Sequence, residues 1–154
     1  MKTFAFTTLS SSILAALAMS ACAQAAPAAK VVATDAWCRP APAGALAGGC
    51  YVTLKAAADD RLVSVETAAA DRGEIHTMSM DGGVMRMRKL ADGIALPAGT
   101  SVALKPGAEH LMIIGPKIAL TAGAKVPLVL KFRNAPPVKL DAVVRMPAMP
   151  GMAH

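Results

Sequence analysis

Val126-Pro-Leu128-Val-Leu130-Lys-Phe132 carries an apolar residue at every second position along its inward face. A period of two is the pattern of a strand with one face buried, because successive side chains point to opposite sides of the sheet. Similar short runs extend outward from it in both directions. Upstream are Val31–Trp37, Cys50–Leu54, Arg61–Thr67, Glu74–Met80, Val84–Leu90, Ser101–Lys105 and His110–Ile114, and downstream is Val138–Val144. Asp81-Gly-Gly83 separates two of these runs and reads as the turn of a hairpin. Pro40 to Gly49 is a long turn, too rich in Pro and Gly for regular structure, and the Ala-rich stretches 56–58 and 68–71 have room for single turns. No segment sustains a helical period and no internal repeat is present. Many short strands at near-regular spacing predict an all-β sandwich or barrel forming a single domain over residues 26–145.

The two ends of the chain read differently. Lys2 followed by the mostly apolar Phe4–Met19 and then Ala23-Gln-Ala25 has the order of a secretory signal, residues 1–25, with cleavage before Ala26. The apolar stretch is short for a membrane-spanning helix. Met19-Ser-Ala-Cys22 is similar to a lipoprotein box, so the expectation is a protein outside the cytoplasm, in the periplasm, held at a membrane only if Cys22 is lipidated. At the other end, residues 146–154 combine Met146, Met149, Met152 and His154 with two prolines and a glycine, which predicts a flexible tail.

Composition narrows the function classes. Aromatic residues are 3% of the 154, so the core is expected to consist of Val, Leu, Ile, Ala and Met. The formal charge is +6, its cations are scattered, and no aromatic-rich RNA motif accompanies them; this is a solvated surface, not a nucleic-acid footprint. No catalytic triad, spaced carboxylate pair or nucleotide loop is visible, and the chain does not read as an enzyme. Two cysteines, Cys38 and Cys50, remain beyond the signal. In an oxidising compartment they are expected to form a disulfide, the alternative being a redox or copper-binding dithiol.

The chemistry lies with histidine and methionine. The chain has three histidines, and each is two residues from a methionine: His76/Met78, His110/Met112 and Met152/His154. That spacing places both side chains of a pair on one strand face. A thioether is soft and uncharged and suits Cu(I) far better than Zn, Ca or Mg, and imidazole nitrogen suits copper as well. In the hairpin, His76, Met78 and Met80 share one face of the first strand, and Met85 and Met87 share one face of the second. Their register stays open because the turn could bulge. Core packing is the competing role for any single methionine. An electron-transfer copper site would need a Cys shortly before a His and a Met in one loop, and no cysteine follows Cys50.

His76, ten intervening residues and Met87, followed by His110-Leu-Met112, resemble the signature of the PCu(A)C periplasmic copper chaperones. Glu74-Ile-His-Thr-Met-Ser-Met-Asp-Gly-Gly-Val-Met-Arg-Met-Arg88 and Leu104-Lys-Pro-Gly107 are similar to that family's surrounding text. The interval between Met87 and His110 is one residue longer than the usual pattern, as a single loop insertion would make it. The resemblance implies a cupredoxin-like β-sandwich, Cu(I) held by His76, Met87, His110 and Met112, Met78 as a neighbouring alternative, and Met80 and Met85 as accessory or packing residues. It implies delivery to the dinuclear copper site of cytochrome c oxidase, alongside a thiol-based assembly factor. The protein is expected to act as a monomer. Storage or detoxification with the same site is the alternative. The tail is similar to an extension some members carry, there linked to a second copper site. From its own chemistry, His154 with a terminal carboxylate would suit Cu(II), which thioethers alone do not favour.

Overall fold

In the computed structural model, which describes residues 29–147, ten strands account for the regular structure and no helix occurs among the described residues. They are β1 Val31–Cys38, β2 Ala47–Ala56, β3 Asp60–Glu66, β4 Ala70–Asp81 and β5 Val84–Lys89. β6 Ile94–Leu96, β7 Ser101–Ala103, β8 His110–Pro116, β9 Lys125–Phe132 and β10 Val138–Val144 follow. The strands run β5-β4-β8-β2-β1-β10-β9-β3-β6 in one continuous path, with β7 paired to β2 beside it. The path closes over its own apolar face as a sandwich. β1 pairs β10 in parallel, and the other recorded pairings are antiparallel.

Alternation places the core. In β9, Val126, Leu128, Leu130 and Phe132 are buried, as their spacing predicts. They join Val52, Leu54, Leu62, Ile75, Leu96, Leu111, Ile113 and Val144 in one cluster. Cys38 and Cys50 lie directly opposite each other on β1 and β2 within this cluster, fully buried and joined by a disulfide.

Three features depart from the sequence reading. β4 starts at Ala70, four residues before the expected Glu74 and inside the Ala-rich stretch 68–71 expected to turn. The Pro/Gly turn ends earlier than expected, because Ala47–Gly49 already belong to β2 and pair with Met112–Ile114 of β8. Gly48 fits there because a Cβ at that position would come within 2.4 Å of a Leu120 methyl, the close approach that glycine permits inside a strand. The sequence reading also lacked β6, whose three residues bury only Ile94 and Leu96.

Candidate metal centre

β8 shows how a His-x-Met motif is built. Leu111 and Ile113 point into the core and are fully buried, so His110 and Met112 must point to the opposite face of the sheet. The residue between the two candidate ligands is therefore the anchor that fixes them. β4 uses the same alternation: Ile75 is buried in the core, and Glu74, His76, Met78 and Met80 take the other face.

Register then brings the strands' candidates together. His76 is the direct cross-strand partner of His110, and Glu74 is the partner of Met112. On the other side of β4, His76 faces Lys89, Met78 faces Met87 and Met80 faces Met85. The hairpin has no bulge. Gly82 and Gly83 both have positive φ, 57° and 80°, which closes a two-residue turn and fixes the register that the sequence left open. The imidazole pair is thus flanked on one side by the Met78–Met87 rung and on the other by Met112.

The two imidazole rings have centroids 5.9 Å apart. His110 is 5% exposed, and its ring neighbours that of Tyr51 at 6.4 Å, which in turn stacks against Trp37 at 4.4 Å. This aromatic row closes one side of the site. Arg145 caps its far end, 4.9 Å above the Trp37 ring and paired with Asp35.

Hydrogen bonding sets the free nitrogen of each ring. His110 Nδ1 lies 2.9 Å from the Ala108 carbonyl, which can only accept, so Nδ1 carries the proton and Nε2 keeps its lone pair. His76 Nε2 donates to Glu74 at 2.9 Å, leaving Nδ1 as the lone-pair nitrogen. That Nδ1 is the one buried side-chain N or O without a hydrogen-bond partner among the described residues. A buried orphan acceptor costs free energy unless something fills it, and a metal ion is one species whose chemistry suits a lone-pair imidazole nitrogen. An ion about 2 Å from a ring nitrogen lies roughly 3 Å from that ring's centroid, so a centroid separation of 5.9 Å is of the size that a shared ion spans.

Glu74 is the participant to which the sequence reading gave no role. Its carboxylate accepts from His76 and Arg72 and also from Lys89 Nζ at 3.2 Å. The hydrogen bonds from His76 and Arg72, together with the bond and charge of Lys89, outweigh burial and hold its pKa down to about 2. The signal was its position two residues before His76, on the same strand face. Among the described residues no three of His, Cys, Asp and Glu gather as a metal-binding group. A closed site here must draw on thioether sulfur, which disfavours zinc.

Of the tail, Met146 lies within the described residues and is 69% exposed; Met149, Met152 and His154 lie outside them, as do residues 1–25 with Cys22.

Comparison with known proteins agrees with this architecture. The profile of the family described as "Putative lipoprotein LpqE-like" matches residues 31–144. A curated relative, "Putative lipoprotein Lxx21020" of Leifsonia xyli subsp. xyli, is 29% identical over 104 residues, and the matched region spans 68% of this chain and 63% of that protein's length. The solution structure of CuI-DR1885 from Deinococcus radiodurans is 26% identical with a TM-score of 0.57, covering 81% of this chain and 83% of that one. The copper-bound PCuAC domain from PmoF2 is 24% identical with a TM-score of 0.60, covering 80% and 97%. The fold is that of PCuAC domains, as the sequence signature implied.

Proposed function

Because this chain belongs to the LpqE-like family, with its match running over nearly the whole sandwich, we propose that it is an exported copper chaperone. In this reading it binds Cu(I) through His76, Met87, His110 and Met112 and passes it to the dinuclear copper site of cytochrome c oxidase. The observation that carries the reading is the imidazole pair: two histidines in register, each with one nitrogen committed to an acceptor and the other free, flanked by methionines on the same face. The likeness to the Cu(I) form of DR1885 supports the choice of ion. The lipoprotein names of the family and of the Leifsonia relative support export, with Cys22 as the residue to carry a lipid.

The protein's own contribution is positioning. Glu74 and the Ala108 carbonyl fix the two tautomers, Leu111 and Ile75 fix the strand faces, and Tyr51 shields His110. Met87 is 49% exposed, which leaves one side of the ligand set open to a partner, as transfer requires. Met78, opposite Met87, is placed to substitute for it during exchange. The protein is a binding-and-transfer protein and not an enzyme, acting as a monomer and with a thiol-based assembly factor as a further partner. The tail residues Met146, Met149, Met152 and His154 serve as a weaker collector, with His154 able to hold Cu(II).

The test is anaerobic loading with one equivalent of Cu(I), followed by mixing with the apo copper-bearing domain of cytochrome c oxidase. Copper should move to the oxidase domain. Retention of all copper by this protein would leave storage or detoxification as its role. Deleting residues 146–154 should lower total copper capacity and spare the tight site; unchanged capacity for both oxidation states would remove the tail from the account.

A further inference from the structure

The geometry points to a second, outer Cu(I) site on the β4–β5 hairpin, formed by Met80 and Met85 with support from the neighbouring thioether of Met78. This deepens the copper-binding reading and rests on it. Met80 and Met85 are direct cross-strand partners, as are Met78 and Met87. Directly opposed residues have Cβ atoms about 4.5–5.5 Å apart, and the flexible methionine side chain lets two sulfurs on one rung close on a single ion. The four thioethers thus form two consecutive rungs on the face that also carries His76 and His110.

Packing does not account for them. Met80 is 66% exposed, Met85 46% and Met87 49%, and every residue of β5 is exposed at the edge of the sheet. Charge is kept off the tip of this face. Arg86 and Arg88 alternate to the other face, where both pair with Asp81 and brace the hairpin from behind. The Met80–Met85 rung is therefore neutral and soft, with no carboxylate at the tip of its face, a donor set that takes Cu(I) or Ag(I) and has no appeal for Zn or Ca. It lies at the exposed end of the hairpin, with the imidazole pair two rungs inward. An ion received at the tip would gain nitrogen ligation on reaching His76 and His110.

The experiment is an anaerobic titration of the full chain, carrying 13C-labelled methionine methyls, with Ag(I) as a diamagnetic stand-in for Cu(I). The first equivalent should shift the methyls of Met87 and Met112, and the second those of Met80 and Met85. In the M80L/M85L variant, which conserves volume and removes both sulfurs, binding at the hairpin tip should be lost. The first-equivalent affinity should stay within about twofold of the original. Methyls of Met80 and Met85 that stay fixed while the core-site methyls move would overturn the outer site. If Met87, Met112 and the His76 and His110 rings fail to respond at any ratio, the core-site assignment falls instead, and the outer site is judged on Met80 and Met85 alone.

Discussion

Glu74 decides which nitrogen His76 can offer. An imidazole left free would sample both tautomers, and the ionised carboxylate 2.9 Å from Nε2 holds the proton there. Partners of this kind commonly change metal affinity by about 10–100-fold when removed. Glu74→Ala should weaken Cu(I) binding by that order in a competition with a chromophoric Cu(I) chelator, whereas Glu74→Gln, which retains an acceptor oxygen, should recover most of it. Equal affinities for the two variants would show that the carboxylate only braces Arg72 and Lys89. At this scale the His-x-Met spacing was legible, because a period of two needs no knowledge of the partner strand. Glu74 was not, because its role depends on where three cationic or donor side chains from two strands converge, and a carboxylate two residues before a histidine has no fixed meaning in sequence.

At the scale of elements, the hairpin and β8 together make the site, and each depends on an anchor. Leu111 is fully buried between His110 and Met112. Leu111→Ala should cost about 2–5 kcal/mol in denaturant unfolding and loosen both ligands with it. A loss below about 0.5 kcal/mol, the range of neutral surface changes, would mean that β8 is held by its ladder alone. The Cys38–Cys50 bridge joins adjacent strands, closing a loop of sequence separation 12. Reduction should lower stability by roughly 3 kcal/mol, measured as a shift of the unfolding midpoint with and without reductant. An unmoved midpoint would mean that the surrounding core makes the cross-link redundant. The strand faces were readable from alternation in β8 and β9. The hairpin register was not, because Asp81-Gly-Gly83 permits a bulge and only the paired backbone shows that Gly82 and Gly83 alone form the turn. The early start of β2 was hidden for a related reason: Gly48 and Gly49 read as loop, while Gly48 is there to admit Leu120.

Across the whole molecule, the far end of the sandwich is tied independently of the copper face. Asp60, at the head of β3, is buried and accepts backbone N–H groups from Arg61, Asn134 and Ala135, which joins β3 to the loop between β9 and β10. Burial alone would raise its pKa, but the backbone hydrogen bonds outweigh that and lower it below 3.8. The stabilisation it provides is therefore complete above that value and is lost as the pH falls through the lower folded pKa. Acid titration of the unfolding midpoint should show this loss in the original chain. In Asp60→Ala that component should vanish, at a cost of about 3 kcal/mol at neutral pH. An unchanged acid limb would refute the role of Asp60. The sandwich class was legible from the strand rhythm, whereas this tether was not, since the two partners that make it a tether, Asn134 and Ala135, lie more than seventy residues away in sequence. The central claim concerns the other end of the molecule, and X-ray absorption of the chain loaded with one equivalent of Cu(I) tests it most directly. Mixed nitrogen and sulfur scatterers are expected, with the nitrogen component reduced in His110→Ala and the sulfur component reduced in Met112→Leu; a first shell of nitrogen and oxygen alone would rule out a His/Met site.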